Sequence, residues 1–264
     1  MVESRSFFLK FLHLLFVCFA YIFLYLPIFV LSIFSFNISK VPSHWEGFSL
    51  KWYKALLTHT EILESFKVSI IVALCATLLS VLLGTCFVVA SKWWKSDFLF
   101  YLFYANILLP EIVLGIGILS TFALLKIPLG YGSLIVGHTI LGFGFVIPII
   151  KARFVELDPL LTEASLDLGA NHVQTFTKVT LPLLMPSLIA SSLLVFTLSL
   201  DDFLISFFCS GPSVQTLSVC VYSMAKLGVN PTINAVSTIF LVISSIVVFF
   251  LCYSKVIDQV VSQE

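Results

Sequence analysis

Six long apolar runs, near residues 8–36, 67–91, 98–124, 130–150, 183–208 and 235–254, leave this chain a narrow choice of folds. A bilayer core takes about 20 apolar residues per helix, and each run is long enough. Backbone N–H and C=O groups find no water in lipid, so only helices or a closed barrel can cross it. The runs are too long for barrel strands and lack the period-two alternation of a barrel wall. With 59% hydrophobic residues, 11% charged residues and a mean hydropathy of +1.11, the chain cannot hide its apolar surface from water. A soluble domain carries about 25% charged residues. The predicted fold is all-α, one polytopic membrane domain over 1–264 with six transmembrane helices.

The formal net charge is zero, which gives no case for nucleic acid or a polybasic surface. The six Cys lack paired metal-ligand spacing, and Cys18, Cys75, Cys86 and Cys252 sit inside apolar runs as small hydrophobes. Cys209 and Cys220 flank one loop, and their pairing stays open. The run after Arg5 and Lys10 is too long for a signal peptide and shows no cleavage site, so it is expected to remain as the first span. An even number of spans puts both termini on one side. Placing them inside gathers Arg5, Lys10, Lys92, Lys95, Lys151, Arg153, Lys178 and Lys255 there. Lys40, Lys51, Lys54, Lys67, Lys126 and Lys226 then lie outside. The turn Lys92–Lys95, with two Trp between its charges, is the best local support. The first outer loop, about 37–66, carries Trp45, Trp52 and Tyr53 and reads as an interfacial helix lying against the membrane or, more simply, as a belt of aromatics. The second, 209–234, has a semi-apolar stretch from Thr216 to Leu227 before Gly228 and Pro231, predicting a short outer or re-entrant helix.

Three carboxylates fall within spans: Glu111, Asp201 and Asp202. Each costs about 2.5–3.5 kcal/mol at a helix centre on insertion scales, and no Lys or Arg lies in a span core to offset it. They are therefore expected to face a wet cavity, a partner subunit or a cation. Glu111 follows Pro110 near the middle of its run, with Tyr104 and Gly115 on the same helical face by seven- and four-residue spacing. An acid, an aromatic ring and a small residue suit a passing ammonium. Asp201 and Asp202 are about 100° apart on a helix. Ser192, Ser199, Asp202 and Ser206 make a polar stripe, which points to Asp202 and Ser199 as cavity-lining and to Asp201 as bonded to a neighbouring helix or subunit. The alternative is that these acids only cap or pin helices. His138, inside a span, reads as a hydrogen-bonded core histidine rather than a proton relay.

The segment 151–182 is polar and helix-coded, and lies between two spans. Asp158 is a good N-cap and Pro159 suits the first helical position. Leu160, Leu161, Ala164 and Leu168 recur at helical spacing, and Gly169 provides a stop. Asn171 and Gln174 have the spacing of a capping box for a second short helix. Two short helices meeting at Gly169-Ala170 are expected, with Pro182 and Pro186 framing entry to the fifth span. An interfacial elbow without a partner has the same pattern.

The run Glu163-Ala164-Ser165, then Gly169-Ala170, Val179 and Leu181-Pro182, resembles the signature loop of ABC-importer permeases. Only Ser165 departs, standing where a second Ala is usual. Leu109-Pro-Glu-Ile-Val113, Ile127-Pro-Leu-Gly130, Leu198 to Asp202, Gly211-Pro212, Gln215-Thr-Leu217, Tyr222-Ser-Met224, Gly228, Pro231 and Ala235 to Thr238 are similar to the spermidine/putrescine permeases of that family. The resemblance implies a type I ABC-importer permease fold in a bacterial inner membrane, with both termini and the loop cytoplasmic. It implies a coupling helix, with Glu163, Ala164, Ser165, Gly169 and Ala170 seated on an ATPase subunit. It also implies a second permease subunit, an extracytoplasmic binding protein and a polycation cargo. The pathway candidates are then Glu111, Asp202, Asp201, Tyr104 and Ser199. No phosphate-cradling Gly-Lys-Ser/Thr loop occurs, so ATP hydrolysis belongs to another subunit, and no cofactor or metal is expected. The same architecture serves importers of iron, thiamine or amino acids. A membrane enzyme holding Mg2+ on Asp201-Asp202 would need further acids nearby, and none follow. A free-standing channel or carrier would not need the loop.

Overall fold

The computed structural model describes residues 2–39, 44–93, 98–228 and 231–261. In chain order its helices are α1 (Val2–Phe34), α2 (Lys51–Leu56), α3 (Thr60–Ala90), α4 (Phe98–Leu108), α5 (Glu111–Leu124) and α6 (Tyr131–Glu156). Then follow α7 (Pro159–Asp167), α8 (His172–Thr175), α9 (Leu181–Asp201), α10 (Leu204–Cys209), α11 (Leu217–Leu227) and α12 (Pro231–Val261). Among the described residues the only extended pairings are two isolated bridges, Asn37 with Phe48 and Gly211 with Val214. The all-α expectation holds.

Four helical stretches are long and apolar enough to cross a membrane: Leu12–Phe34, Thr60–Ala90, Tyr131–Glu156 and His172–Asp201. They match the first, second, fourth and fifth expected runs, with changed ends. The third run is not one straight span. It is α4 and α5, bent by 115° at the break between Leu108 and Glu111. Pro110 explains the break: it has no N–H for the carbonyl one turn back and drives Leu109 out of the helical region. The fifth run also stops early, at Asp201, and α10 is a separate helix. The sixth run falls within α12, though most side chains beyond residue 246, Cys252 among them, lie outside the described residues. So does much of the Lys92–Lys95 turn.

One compact unit comprises residues 1–60 and 221–264, where α12 packs against α1 and α2. Asn37 organises its loop. The Asn37 amide donates to the His44 carbonyl at 2.6 Å and its Oδ1 accepts from the Glu46 N–H at 3.0 Å. The Trp52 indole donates to the Asn37 carbonyl at 2.7 Å. The expected belt is thus only partly one. Trp52 is buried and bonded, while Trp45 stays half exposed.

The second unit, 61–220, is built around α6, which packs against α4, α5, α9 and α10. Val146, Ile147 and Ile150 of α6 are buried with Val88 of α3, Phe100 of α4 and Leu184 of α9. Lipid tails are as apolar as these side chains, so close packing and hydrogen bonds must hold the helices together. Ser80 donates to the Thr139 carbonyl, Asn106 to that of Ile140 and Ser133 to that of Cys209. Such bonds contribute about 0.6 kcal/mol each on average. Cys209 and Cys220 are buried free thiols, so the pairing left open by the sequence is not made. The helix expected between Thr216 and Leu227 is present as α11.

Candidate functional site

The 157–182 elbow follows its local code closely. Asp158 Oδ1 accepts from the Leu160 N–H at 2.9 Å, with Pro159 in the first turn of α7. Gly169 ends that helix at φ +88°, a left-handed conformation that disfavours a Cβ. Asn171 Oδ1 accepts from the Gln174 N–H at 2.8 Å and Gln174 Oε1 from the Asn171 N–H at 2.9 Å, a reciprocal cap for α8. The second short helix is not free-standing, however. It continues through a π-helical turn, Phe176–Thr180, directly into α9. Glu163 and Ala164 are exposed, as is Gly169, while Ser165 and Ala170 are half-buried. Leu160, Leu161, Leu168 and Val173 present apolar surface. Ser165 does something its pattern did not reveal: its hydroxyl lies 2.8 Å from that of Thr175 and ties α7 to α8.

The in-span acids sit at two helix breaks. Glu111 opens α5 and is exposed; the helix dipole favours a carboxylate there. The bend removes the face relation expected between Glu111 and Tyr104, and Tyr104 packs instead with the core around α6. Gly115 remains one turn from Glu111, but its smallness serves Phe208 of α10. A Cβ there would lie 2.6 Å from that ring. Asp201 ends α9 and is exposed, whereas Asp202 is buried. The backbone turns extended at Asp202 (φ −62°, ψ 128°), so the two acids do not share a helix. Asp202 Oδ2 accepts from the Ser206 N–H at 2.8 Å and Oδ1 from the Ile205 N–H at 3.3 Å, capping α10. α5, which Glu111 opens, packs against α10, which follows Asp201 and Asp202.

Ser199 and Ser206 do not line an open stripe. They close on His138 of α6, which is fully buried. Ser199 Oγ lies 2.8 Å from Nδ1 and Ser206 Oγ 3.1 Å from Nε2, with Asp202 Oδ2 3.7 Å from Nε2. The reading of His138 as a bonded core histidine is thereby met. Asp202 thus takes the alternative role of a helix cap, reaching the Ile205 and Ser206 amides from the residue before the N-cap position, Phe203. Among the described residues no group of three or more His, Cys, Asp or Glu could hold a metal ion.

The profile of the family described as "Binding-protein-dependent transport system inner membrane component" matches residues 76–259. The chain belongs to this family of transport permeases. The permease is 36% identical over 231 residues to the Escherichia coli K12 spermidine/putrescine transport system permease protein PotC, covering 86% of this chain and 88% of PotC. It is likewise 36% identical over 241 residues to the putrescine transport system permease protein PotI of the same organism, covering 88% and 86%. Among solved structures it resembles a bacterial ABC transporter involved in alginate import, with a TM-score of 0.71 at 15% identity over 95% of this chain and 96% of the other. A MetNI methionine ABC transporter gives 0.58 at 17% identity over 75% and 93%. At such identities the likeness concerns fold alone. The permease is thus a multi-pass inner-membrane component of an ABC importer and not an enzyme. The family implies ATP-binding subunits, a binding protein and a partner permease.

Proposed function

We propose that the permease forms one half of the pathway of a polyamine importer. The observation that carries this reading is the pair of exposed carboxylates, Glu111 and Asp201, each at a helix break, with α5, which Glu111 opens, packed against α10, which follows Asp201 and Asp202. Neither forms an ion pair among the described residues. The relatives named for spermidine and putrescine transport supply the cargo class. Each ammonium of a polyamine must leave water as it crosses. A carboxylate in a region of low dielectric offsets part of that cost more effectively than one at a surface. Release requires weak binding, so two acids serve better than many. Asp202 and Ser199, with their polar atoms committed to α10 and His138, act on the pathway as supports. Tyr104 sits in the packing of α4 and contributes there.

In this reading the chain crosses the membrane six times, the bent α4–α5 pair counting as the third span and α12 as the sixth. Both termini and the elbow are cytoplasmic. The apolar surface of Leu160, Leu161 and Leu168, with Glu163 beside it, docks in an ATP-binding subunit. The Gly169-Ala170 bend passes the movement of α7 through α8 into α9. The test is uptake of labelled spermidine by the reconstituted importer, competed by unlabelled putrescine, a neutral amino acid, thiamine or ferric chelate. Competition by putrescine alone supports the reading. Competition by one of the others, without putrescine, reassigns the cargo and leaves the family standing.

A further inference from the structure

We propose that His138 is a positioning residue for the pathway: its imidazole clasps the α9–α10 break and so sets how Asp201 and Glu111 are presented. The inference rests on the reading of those two acids as pathway groups. Three elements meet at this ring. Ser199, bonded to Nδ1 at 2.8 Å, lies two residues before Asp201 at the end of α9. Ser206, bonded to Nε2 at 3.1 Å, lies within α10 beyond the break. His138 itself stands on α6, the helix at the centre of this unit. One side chain therefore touches both sides of a helix interruption and ties them to a fixed scaffold. The break needs such a tie, because the backbone at Asp202 is extended and helical bonds do not run through it.

The clasp reaches the second acid through packing. Asp202, 3.7 Å from Nε2, caps α10 through the Ile205 and Ser206 amides. Further along α10, Phe208 packs on Gly115, one turn from Glu111. Moving α10 would move the ring that seats the start of α5. His138, Ser199 and Ser206 are all at most 3% exposed, so water does not stand in for a lost partner. A neutral imidazole offers one donor and one acceptor, and a hydroxyl can answer either, so both bonds form at once. Leaving either serine buried and unpaired is costly, which makes the geometry of the break stiff.

The test uses the assembled importer and three variants: His138→Leu, His138→Asn and His138→Gln. Asn places its amide near the position of Nδ1 and Gln near that of Nε2, so each keeps one of the two bonds. Two readouts are taken. The first is KM against maximal rate for spermidine uptake. The second is the rate at which a small cationic thiol reagent labels an Asp201→Cys variant, in a background freed of reactive native Cys. His138→Leu is expected to raise KM and change the labelling rate at least threefold. Asn and Gln should fall between it and wild type, while labelling of a Leu124→Cys control stays constant. Unchanged KM and labelling in a normally accumulating His138→Leu protein overturn the clasp. If that variant does not accumulate, wild-type values in both Asn and Gln overturn it. Changed labelling beside an Asp201→Asn protein with normal uptake keeps the clasp and removes the pathway role of Asp201.

Discussion

The elbow at 157–182 and the helix break at 201–204 are both short interruptions between long helices, yet they are held by opposite kinds of bond. In the elbow the caps are local. Asp158 reaches two residues ahead, and Asn171 and Gln174 satisfy one another across three. At the break the bonds to His138 span 61 and 68 residues. The elbow can thus form from its own sequence and offer an exposed surface, as a part that docks and moves requires. The break exists only in the assembled bundle. One region is suited to transmitting motion and the other to holding charge in place.

Disturbing the break should have the larger effect, even through its local Asp202 cap, because the amides it satisfies are buried. Asp202→Leu takes the cap from two buried amides and should lower stability by about 1–3 kcal/mol per orphaned group. Reduced protein level and an earlier thermal transition on detergent chromatography are the expected result. Asp202→Asn, which can still cap, should lose much less. Equal losses in the two variants would make charge rather than capping the important property.

Gly169→Ala comes next. Open space surrounds a Cβ at that position, so the cost is left-handed strain alone, about 1–2 kcal/mol. We expect normal insertion with ATP hydrolysis less stimulated by substrate-loaded binding protein. Gly169→Asn, which tolerates this conformation better, should be milder. Asn171→Ala removes one side of the reciprocal cap, at a cost of about 1 kcal/mol, and should weaken the same stimulation slightly. The smallest effect belongs to Ser165→Ala. It restores the usual residue of the signature loop and loses only the hydroxyl tie to Thr175, so the stimulation ratio should change less than twofold.

The same division explains what the sequence disclosed. Caps and the Gly169 stop act within a turn or two of themselves, and they marked the elbow correctly in position, whereas 98–124 was read as one span and the end of α4 was not. The severity of the α4–α5 bend was not visible, because a proline states that a helix is interrupted and not where the next one points. The stripe of Ser199, Asp202 and Ser206 was seen as one helical face. Its members do converge, but on a histidine more than 60 residues away. Period counting assumed a continuous helix through Asp202, but the backbone is extended there, so spacing could not tell which acid is buried in this chain. Trp52 shows the same limit, since its partner carbonyl at Asn37 lies 15 residues away.

Uptake of labelled spermidine by Asp201→Asn and Asp202→Asn importers, normalised to permease in the membrane, tests the central claim most directly. The exposed carboxylate is assigned to the cargo and the buried one to the fold. Asp201→Asn should therefore cut the rate several-fold at an unchanged protein level. Asp202→Asn should stay within about twofold per molecule inserted, whatever it loses in yield. The reverse order, with Asp201→Asn fully active and Asp202→Asn inactive at full level, would contradict the assignment.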